Sequence, residues 1–443
     1  MHRPLSWPQL LQKLDQLGNF ERTAVPRDIS KLEGIRTLLK ALEHPQTHYQ
    51  VIHVAGTNGK GTTAMMISRL LETLGFHTGC YTSPHVMDIR ERIVINGQWV
   101  ETDLWTDSGE KVLTFVEQHP ELYISWFDIV TAMALDIFAK LRADWVVLET
   151  GLGGTADSTN AVEKKLAVLT PIGLDHVGVL GHSIGQISRE KAGIARKGIP
   201  TVLSAQTEQV YAELLPELAR HQSPTLKADS LLKVTQLSAS GKLCFDWTDG
   251  NCYEISLAET MPPSRLECLR TALVAIDQLF PNGFSRKQAS EALLSVQLPG
   301  RIQRLSRVTW PAGNTTFDQM ILDGGHNPMA LQMLQHQLDS WQLDSCVLIF
   351  GIQKDKLIPE LKPVLQRLFS SANPLIFTRS HSARAASYED LLEFMDNYPF
   401  LERPVKTMNV DEALNAAKSF AFHTVIVAGS FYVAGEILEQ IYY

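Results

Sequence analysis

Residues 56–62 read Gly-Thr-Asn-Gly-Lys-Gly-Thr, placing three glycines and a lysine between the apolar run 51–55 and an amphipathic stretch. Glycines let a chain turn tightly enough for successive backbone N–H groups to close around an anion, and the start of the following helix adds its positive dipole end. Lys60 would lie against the β and γ phosphates of a nucleotide, and the hydroxyl of Thr62 can be offered to Mg2+. Gly56, Thr57, Asn58, Gly59, Lys60, Gly61 and Thr62 are thus the candidate ATP-binding loop. Its spacing departs from the usual phosphate loop: only two residues separate Gly56 from Gly59, and Gly61 stands between Lys60 and Thr62. A plain glycine turn is the alternative.

Such a loop needs a strand before it and a helix after it. Short apolar, β-branched runs alternate with helical patterns along most of the chain, as in a parallel sheet covered on both faces. Strands are expected at 51–55, 77–81, 145–149, 166–170 and 201–204, with helices between them. Glu149 would close one strand just ahead of the glycine-rich GLGG, where parallel sheets place ligands. Residues 225–257 alternate apolar and polar side chains around Ser-Gly and Asp-Gly turns, the pattern of antiparallel hairpins. A second α/β series follows Pro299 and Gly300, with strands near 319–322, 346–350, 375–378 and 425–428. The expected fold class is α/β: a phosphate-loop-type, mostly parallel sheet domain with a small antiparallel β insert (1–300), then a smaller Rossmann-like domain (301–443).

The 443 residues, 44% hydrophobic and 20% charged, suffice for two or three domains with their own cores. A net charge of −8 argues against a nucleic-acid surface, which needs clustered Lys and Arg in excess. Cys80, Cys244, Cys252, Cys268 and Cys346 form no CxxC pair, which suits buried cysteines in a reducing compartment. The N-terminal stretch breaks its apolar residues with Gln, Lys and Asp, unlike a signal peptide, and no apolar run approaches the roughly 18 residues of a membrane span. The expectation is a cytoplasmic monomer without nucleic-acid or membrane partners.

GTNGKGT resembles the phosphate loop of the Mur ligase superfamily, in particular that of folylpolyglutamate synthase and dihydrofolate synthase. The likeness extends in order through YTSPHVMDIRERIVING (81–97), VVLETGLGG (146–154), TNAV (159–162), PIGLDHVGVLG (171–181), REKAGI (189–194), LPGR (298–301), DGGHNP (323–328), FG with KDK (350–356) and AGSFYVAGE (428–436). It implies an ATP- and Mg2+-dependent ligase that joins a carboxylate to an amine through an acyl phosphate. By resemblance, Ser83, Glu149 and His176 hold the metal. Their types suit that role, since a carboxylate and a hydroxyl are hard oxygen donors and an imidazole can complete the site. Lys191 matches a lysine carbamylated in several members; an ordinary reading is a helix lysine paired with Glu190 or solvated. Arg301 and Asp323 match positions that contact ATP across a domain cleft, and His326 one near the phosphate or the incoming amino acid. Lys60, Lys191 and His326 are the candidate catalytic residues.

Departures fall where the motif chooses the substrate. Asp128 stands in a Trp126-Phe127-Asp128 segment where folate enzymes carry Phe-Glu, and Thr155, ahead of Ala156 and Asp157, replaces an Arg after GLGG. Asp128, Thr155 and Asp157 are the candidate substrate-binding residues. Glu267, Cys268 and Thr271 align with a His-Gln and an Asn that touches the nucleotide base, and Gly325 replaces an Ala. The reading is addition of L-glutamate to a folate, with dihydropteroate as an additional acceptor. The alternatives are a diverged Mur-type ligase acting on another carboxylate and a non-catalytic ATP-binding paralogue.

Overall fold

The computed structural model describes residues 5–17, 32–237, 241–257, 260–296, 298–310, 315–341, 346–370, 374–396, 405–420 and 424–442. Two compact units are present, one of residues 1–84 and 90–296, the other of 85–89 and 297–443. The five residues 85–89, inside the 1–300 range expected for the first domain, thus belong to the second unit.

The first unit is built on eight strands: β1 Gln50–Ala55, β2 Thr78–Tyr81, β3 Ile93–Ile95, β4 Gln98–Trp99, β5 Trp145–Glu149, β6 Leu166–Leu169, β7 Thr201–Leu203 and β8 Thr225–Lys227. Their order is β4-β3-β2-β5-β1-β6-β7-β8, and all pairs from β2 to β8 are parallel. The central strands read as near-continuous apolar runs because helices cover both faces; every residue of β5 and β6 is buried. The antiparallel β3–β4 edge, absent from the sequence expectation, turns at Asn96 and Gly97, both with positive φ (48° and 69°) as a two-residue hairpin requires.

The stretch expected to be wholly antiparallel divides. Residues 225–227 extend the large parallel sheet, and only β9 Leu232–Leu237, β10 Lys242–Trp247 and β11 Cys252–Ser256 form the antiparallel insert. Ser240 of its Ser-Gly turn lies outside the described residues. Cys80, Cys268 and Cys346 are buried as expected, whereas in this insert Cys244 is half-buried and Cys252 exposed.

The second unit carries six strands, β12 Gln303–Trp310, β13 Thr315–Asp323, β14 Val347–Phe350, β15 Leu375–Phe377, β16 Val405–Lys406 and β17 Thr424–Ala428, in the order β12-β13-β17-β14-β15-β16. All but β12 run parallel. Side-chain alternation splits its core, with Ile321, Leu348 and Ile426 facing one helical layer and Met320, Leu322, Val347 and Val425 the other. Val86 packs in the latter cluster, which is what draws 85–89 into this unit.

Candidate functional site

The buried strand β1 delivers the chain to Gly56, whose φ of 146° only glycine adopts readily, and a Cβ there would lie 2.9 Å from the Thr170 carbonyl. The loop is stitched to the segment after β6. Thr57 and Asn58 donate their N–H groups to the Pro171 carbonyl (2.9 and 3.2 Å), and the Thr57 hydroxyl bonds the Gly173 carbonyl and amide, both at 3.0 Å. Gly59, in the left-handed region at φ 79°, caps the helix Lys60–Thr73. The first N–H groups of that helix have no intrahelical acceptor and point toward an incoming anion. Lys60 folds back over the loop, its Nζ donating to the Thr57 carbonyl at 3.1 Å.

Glu149 ends β5, beside β1, and is 2% exposed; its Oε2 accepts from the Ser83 amide at 2.9 Å. Ser83 follows β2 by two residues and is buried, so its amide and the Glu149 carboxylate meet at the C-terminal edge of adjacent parallel strands. His176 lies in the loop after β6 in left-handed backbone geometry (φ 49°), its amide held by Asp175 Oδ1 at 2.8 Å. Among the described residues no three His, Cys, Asp or Glu side chains group tightly enough to hold a metal by themselves. The oxygen donors fit Mg2+ nonetheless, because this ion is usually held by one or two carboxylates, with substrate phosphates and water completing its shell.

Lys191, on the helix Ile184–Ala192, is buried and donates to the Gly56 carbonyl at 2.6 Å. It is neither solvated nor turned to Glu190, the ordinary alternative for a helix lysine. Burial and then the positive charge of Lys60 lower its pKa to about 7, against the opposing pull of Asp175, Glu190 and Asp157. Glu190 instead braces the glycine-rich segment: its carbonyl accepts from the amide and hydroxyl of Thr155 (2.9 and 3.0 Å).

Both oxygens of Asp128 are engaged within the protein. Oδ2 closes a capping box with Ser125, and Oδ1 accepts from the Ser158 hydroxyl at 2.6 Å. Asp157, fully buried, caps the short helix Ser158–Ala161 and accepts from the Leu152 amide at 2.8 Å. Thr271 is likewise sealed in, its hydroxyl 2.8 Å from that of Ser204, and Glu267 accepts from the Ala205 amide. Cys268 reaches the phosphate loop: a Cβ on Gly59 would stand 2.8 Å from its Sγ.

Arg92, which the motif reading passed over, is 1% exposed with its guanidinium 4.9 Å from the ring centre of Trp126. Neighbouring Phe127 packs on Gly151. Within IRERIVI, nothing in the sequence distinguishes this Arg from a solvated one.

In the second unit, Asp323 ends β13, accepts from the Ile302 amide at 3.2 Å, and has its pKa raised to about 6 by burial. Phe431 gathers its companions. The Arg301 guanidinium lies 5.0 Å from that ring's centre, and the His326 ring meets it edge-on at 6.0 Å. His326 Nδ1 faces the Gly324 carbonyl at 2.9 Å, which makes Nδ1 the donor there.

No family model matches the chain. It is 30% identical over 386 residues, covering 81% of this chain and 76% of the relative, to the dihydrofolate synthase/folylpolyglutamate synthase of Mycobacterium tuberculosis (strain ATCC 25618 / H37Rv). The structure of the Mycobacterium tuberculosis folylpolyglutamate synthase complexed with ADP superposes with a TM-score of 0.85 at 27% identity, over 99% of this chain and 98% of that one. The bifunctional folylpolyglutamate synthase/dihydrofolate synthase from Yersinia pestis, complexed with AMPPNP and a Mn ion, gives 0.81 at 25% identity over 100% and 98%.

Proposed function

Because this chain belongs to the dihydrofolate synthase/folylpolyglutamate synthase family, we propose that its phosphate loop, Lys60 and the Ser83–Glu149 pair activate a folate carboxylate for amide formation. The protein is an ATP-dependent ligase that adds L-glutamate to a folate. One observation carries the reading: the loop 56–62, the buried Glu149 and the buried Lys191 converge on one edge of the parallel sheet.

The acceptor carboxylate attacks the γ-phosphorus, ADP departs, and an acyl phosphate results. The glutamate amine, having lost a proton, attacks the carbonyl carbon, and phosphate leaves as the amide forms. Lys60 and the N–H groups of residues 59–62 answer the charge that develops on the transferring phosphoryl group. Glu149, Ser83 and His176 would hold Mg2+, which when bound would supply Lewis-acid neutralisation of phosphate charge. Lys191, tethered to Gly56 and with its pKa lowered to about 7, keeps a substantial neutral fraction at pH 7 and is chemically ready to take up CO2 as a carbamate. For Arg301 and Asp323 the family resemblance supports a part in ATP binding, and for His326 one near the incoming amine. Thr155 lies beside the acceptor, while Asp128 and Asp157 shape its surroundings through the amides and hydroxyls they hold.

The test is ADP release by the purified chain with Mg2+, ATP and L-glutamate, comparing tetrahydrofolate, dihydropteroate and no acceptor, with mass detection of products. A glutamate-extended product from tetrahydrofolate supports the polyglutamate synthase, and one from dihydropteroate adds the second activity. Bound ATP with neither acceptor extended would move the chain to a different carboxylate or to a non-catalytic role.

A further inference from the structure

Four buried polar side chains of the first unit have no task in this chemistry: His53 in β1, and Thr159, Asn160 and Lys164 ahead of β6. Their hydrogen bonds admit one pattern of protons. Asp157 as a carboxylate only accepts, so the Thr159 hydroxyl gives it its single proton. Thr159 Oγ1 must then accept at its 2.7 Å contact with His53 Nε2, which puts the imidazole proton on Nε2. His53 Nδ1 is left as an acceptor and takes a proton from Lys164 Nζ at 2.9 Å. Burial, reinforced by the charge of Lys164, keeps His53 neutral, as this chain of bonds needs.

At its far end the chain grips backbone. Asp157 holds the Leu152 amide at 2.8 Å, and Lys164 donates to Asn160 Oδ1 at 2.8 Å. Asn160 Nδ2 in turn donates to the carbonyls of Thr155 (2.9 Å) and Gly193 (3.1 Å), and Arg196 closes the circuit onto Asn160 Oδ1 and the Gly193 carbonyl. The segment so gripped contains Gly151, Gly153 and Gly154, and up to Asp157 it belongs to no strand or helix, so the shape of that part must be imposed from outside.

We propose that His53 and Lys164 are positioning residues that tie the 151–160 segment to the strand carrying the phosphate loop, setting the acceptor in line with the γ-phosphate. The role in acceptor binding rests on the ligase reading above; the bonded relay itself does not. His53 lies three residues ahead of Gly56, so one rigid strand serves both ends of the reaction.

The experiment uses the full chain. Thr159→Val cuts the relay without removing a buried charge, Lys164→Met removes its donor, and Thr159→Ser keeps the hydroxyl. The first two raise the KM for tetrahydrofolate about tenfold, the scale of one hydrogen bond to a charged group, with the KM for ATP within about twofold; Thr159→Ser behaves as wild type. An unchanged tetrahydrofolate KM in Thr159→Val, or an equal rise in both constants, overturns the proposal. Imidazole 15N shifts at pH 7, assigned by loss of the signal in His53→Gln, report the ring without substrate. The Nε2–H tautomer supports the relay and the Nδ1–H tautomer overturns it. A wild type with no folate-dependent turnover would sink the ligase reading and leave the relay to be judged by its ring.

Discussion

Replacing Lys191 with Met should make the protein more stable and inactive at once. The folded lysine has a pKa near 7 against 10.5 in an unfolded chain, so between these values the unfolded state binds more protons. Wild-type stability therefore rises with pH across that window. At pH 7 the unfavourable burial amounts to about 4 kcal/mol, at pH 9 to about 2 kcal/mol, and it vanishes above about pH 10.5. Methionine keeps the apolar stem and removes the charge, at the loss of the bond to the Gly56 carbonyl, worth about 1–2 kcal/mol. The net expectation is a gain of about 2–3 kcal/mol at pH 7 that shrinks by about 2 kcal/mol on going to pH 9. Urea unfolding of both proteins in CO2-free buffer at pH 7, 8 and 9 measures this difference directly, because every other titrating group is shared. A Met variant less stable at pH 7, or a difference that does not change with pH, would refute the argument. Bicarbonate should narrow the gap by trapping the neutral amine as a carbamate, visible with 13C label, and the variant's ADP release should be lost.

Lys60→Ala should lower kcat for ADP release about a thousandfold, the scale of losing one preorganised contact to the transferring phosphoryl group. Gly59→Ala places a Cβ at φ 79° and 2.8 Å from Cys268 Sγ; calorimetric titration should show ATP affinity reduced about tenfold, partly restored by adding Cys268→Ala. Asp323→Asn should stabilise the protein by about 3 kcal/mol at pH 7 and hardly at all at pH 4. The folded carboxyl, with its pKa raised to about 6, holds a proton that the unfolded chain has released over much of that range, and urea unfolding at the two pH values checks it.

The strand preceding the phosphate loop and the one ending at Glu149 were legible because a fully covered parallel strand leaves an uninterrupted apolar run bounded by glycine. The β3–β4 hairpin was missed although Asn96-Gly97 marks its turn, because its second strand is two residues long and carries no periodicity. Strand β12 escaped because half of its residues are exposed on a sheet edge, which blurs the apolar pattern. Buried charge was the least legible feature. Lys164 sits in Glu-Lys-Lys and Lys191 in Arg-Glu-Lys, compositions that usually face water, and only the fold reveals that each meets a backbone or imidazole acceptor. Asp128 and Asp157 read as candidate substrate-binding residues, and capping geometry engages oxygens of both, which the sequence does not reveal. Sequence records a side chain's chemistry, whereas its partners come from distant segments.

Val86 has a consequence for how the protein is made. It packs among Met320, Leu322 and Val433, and a Cβ on Gly435 would collide with its carbonyl, so the second unit is assembled around a strip of chain from far upstream. On the ribosome that strip emerges roughly 200 residues ahead of the rest of its unit, a wait of about 10–40 s at ordinary elongation rates. Until then the nascent first unit carries an apolar strip whose partners do not yet exist. A fragment beginning at residue 297 would carry the complementary defect, a slot at Gly435 with nothing to fill it. Vectorial synthesis can therefore complete the first unit before the second, but the second closes only by collecting a strip of chain synthesised within the span of the first.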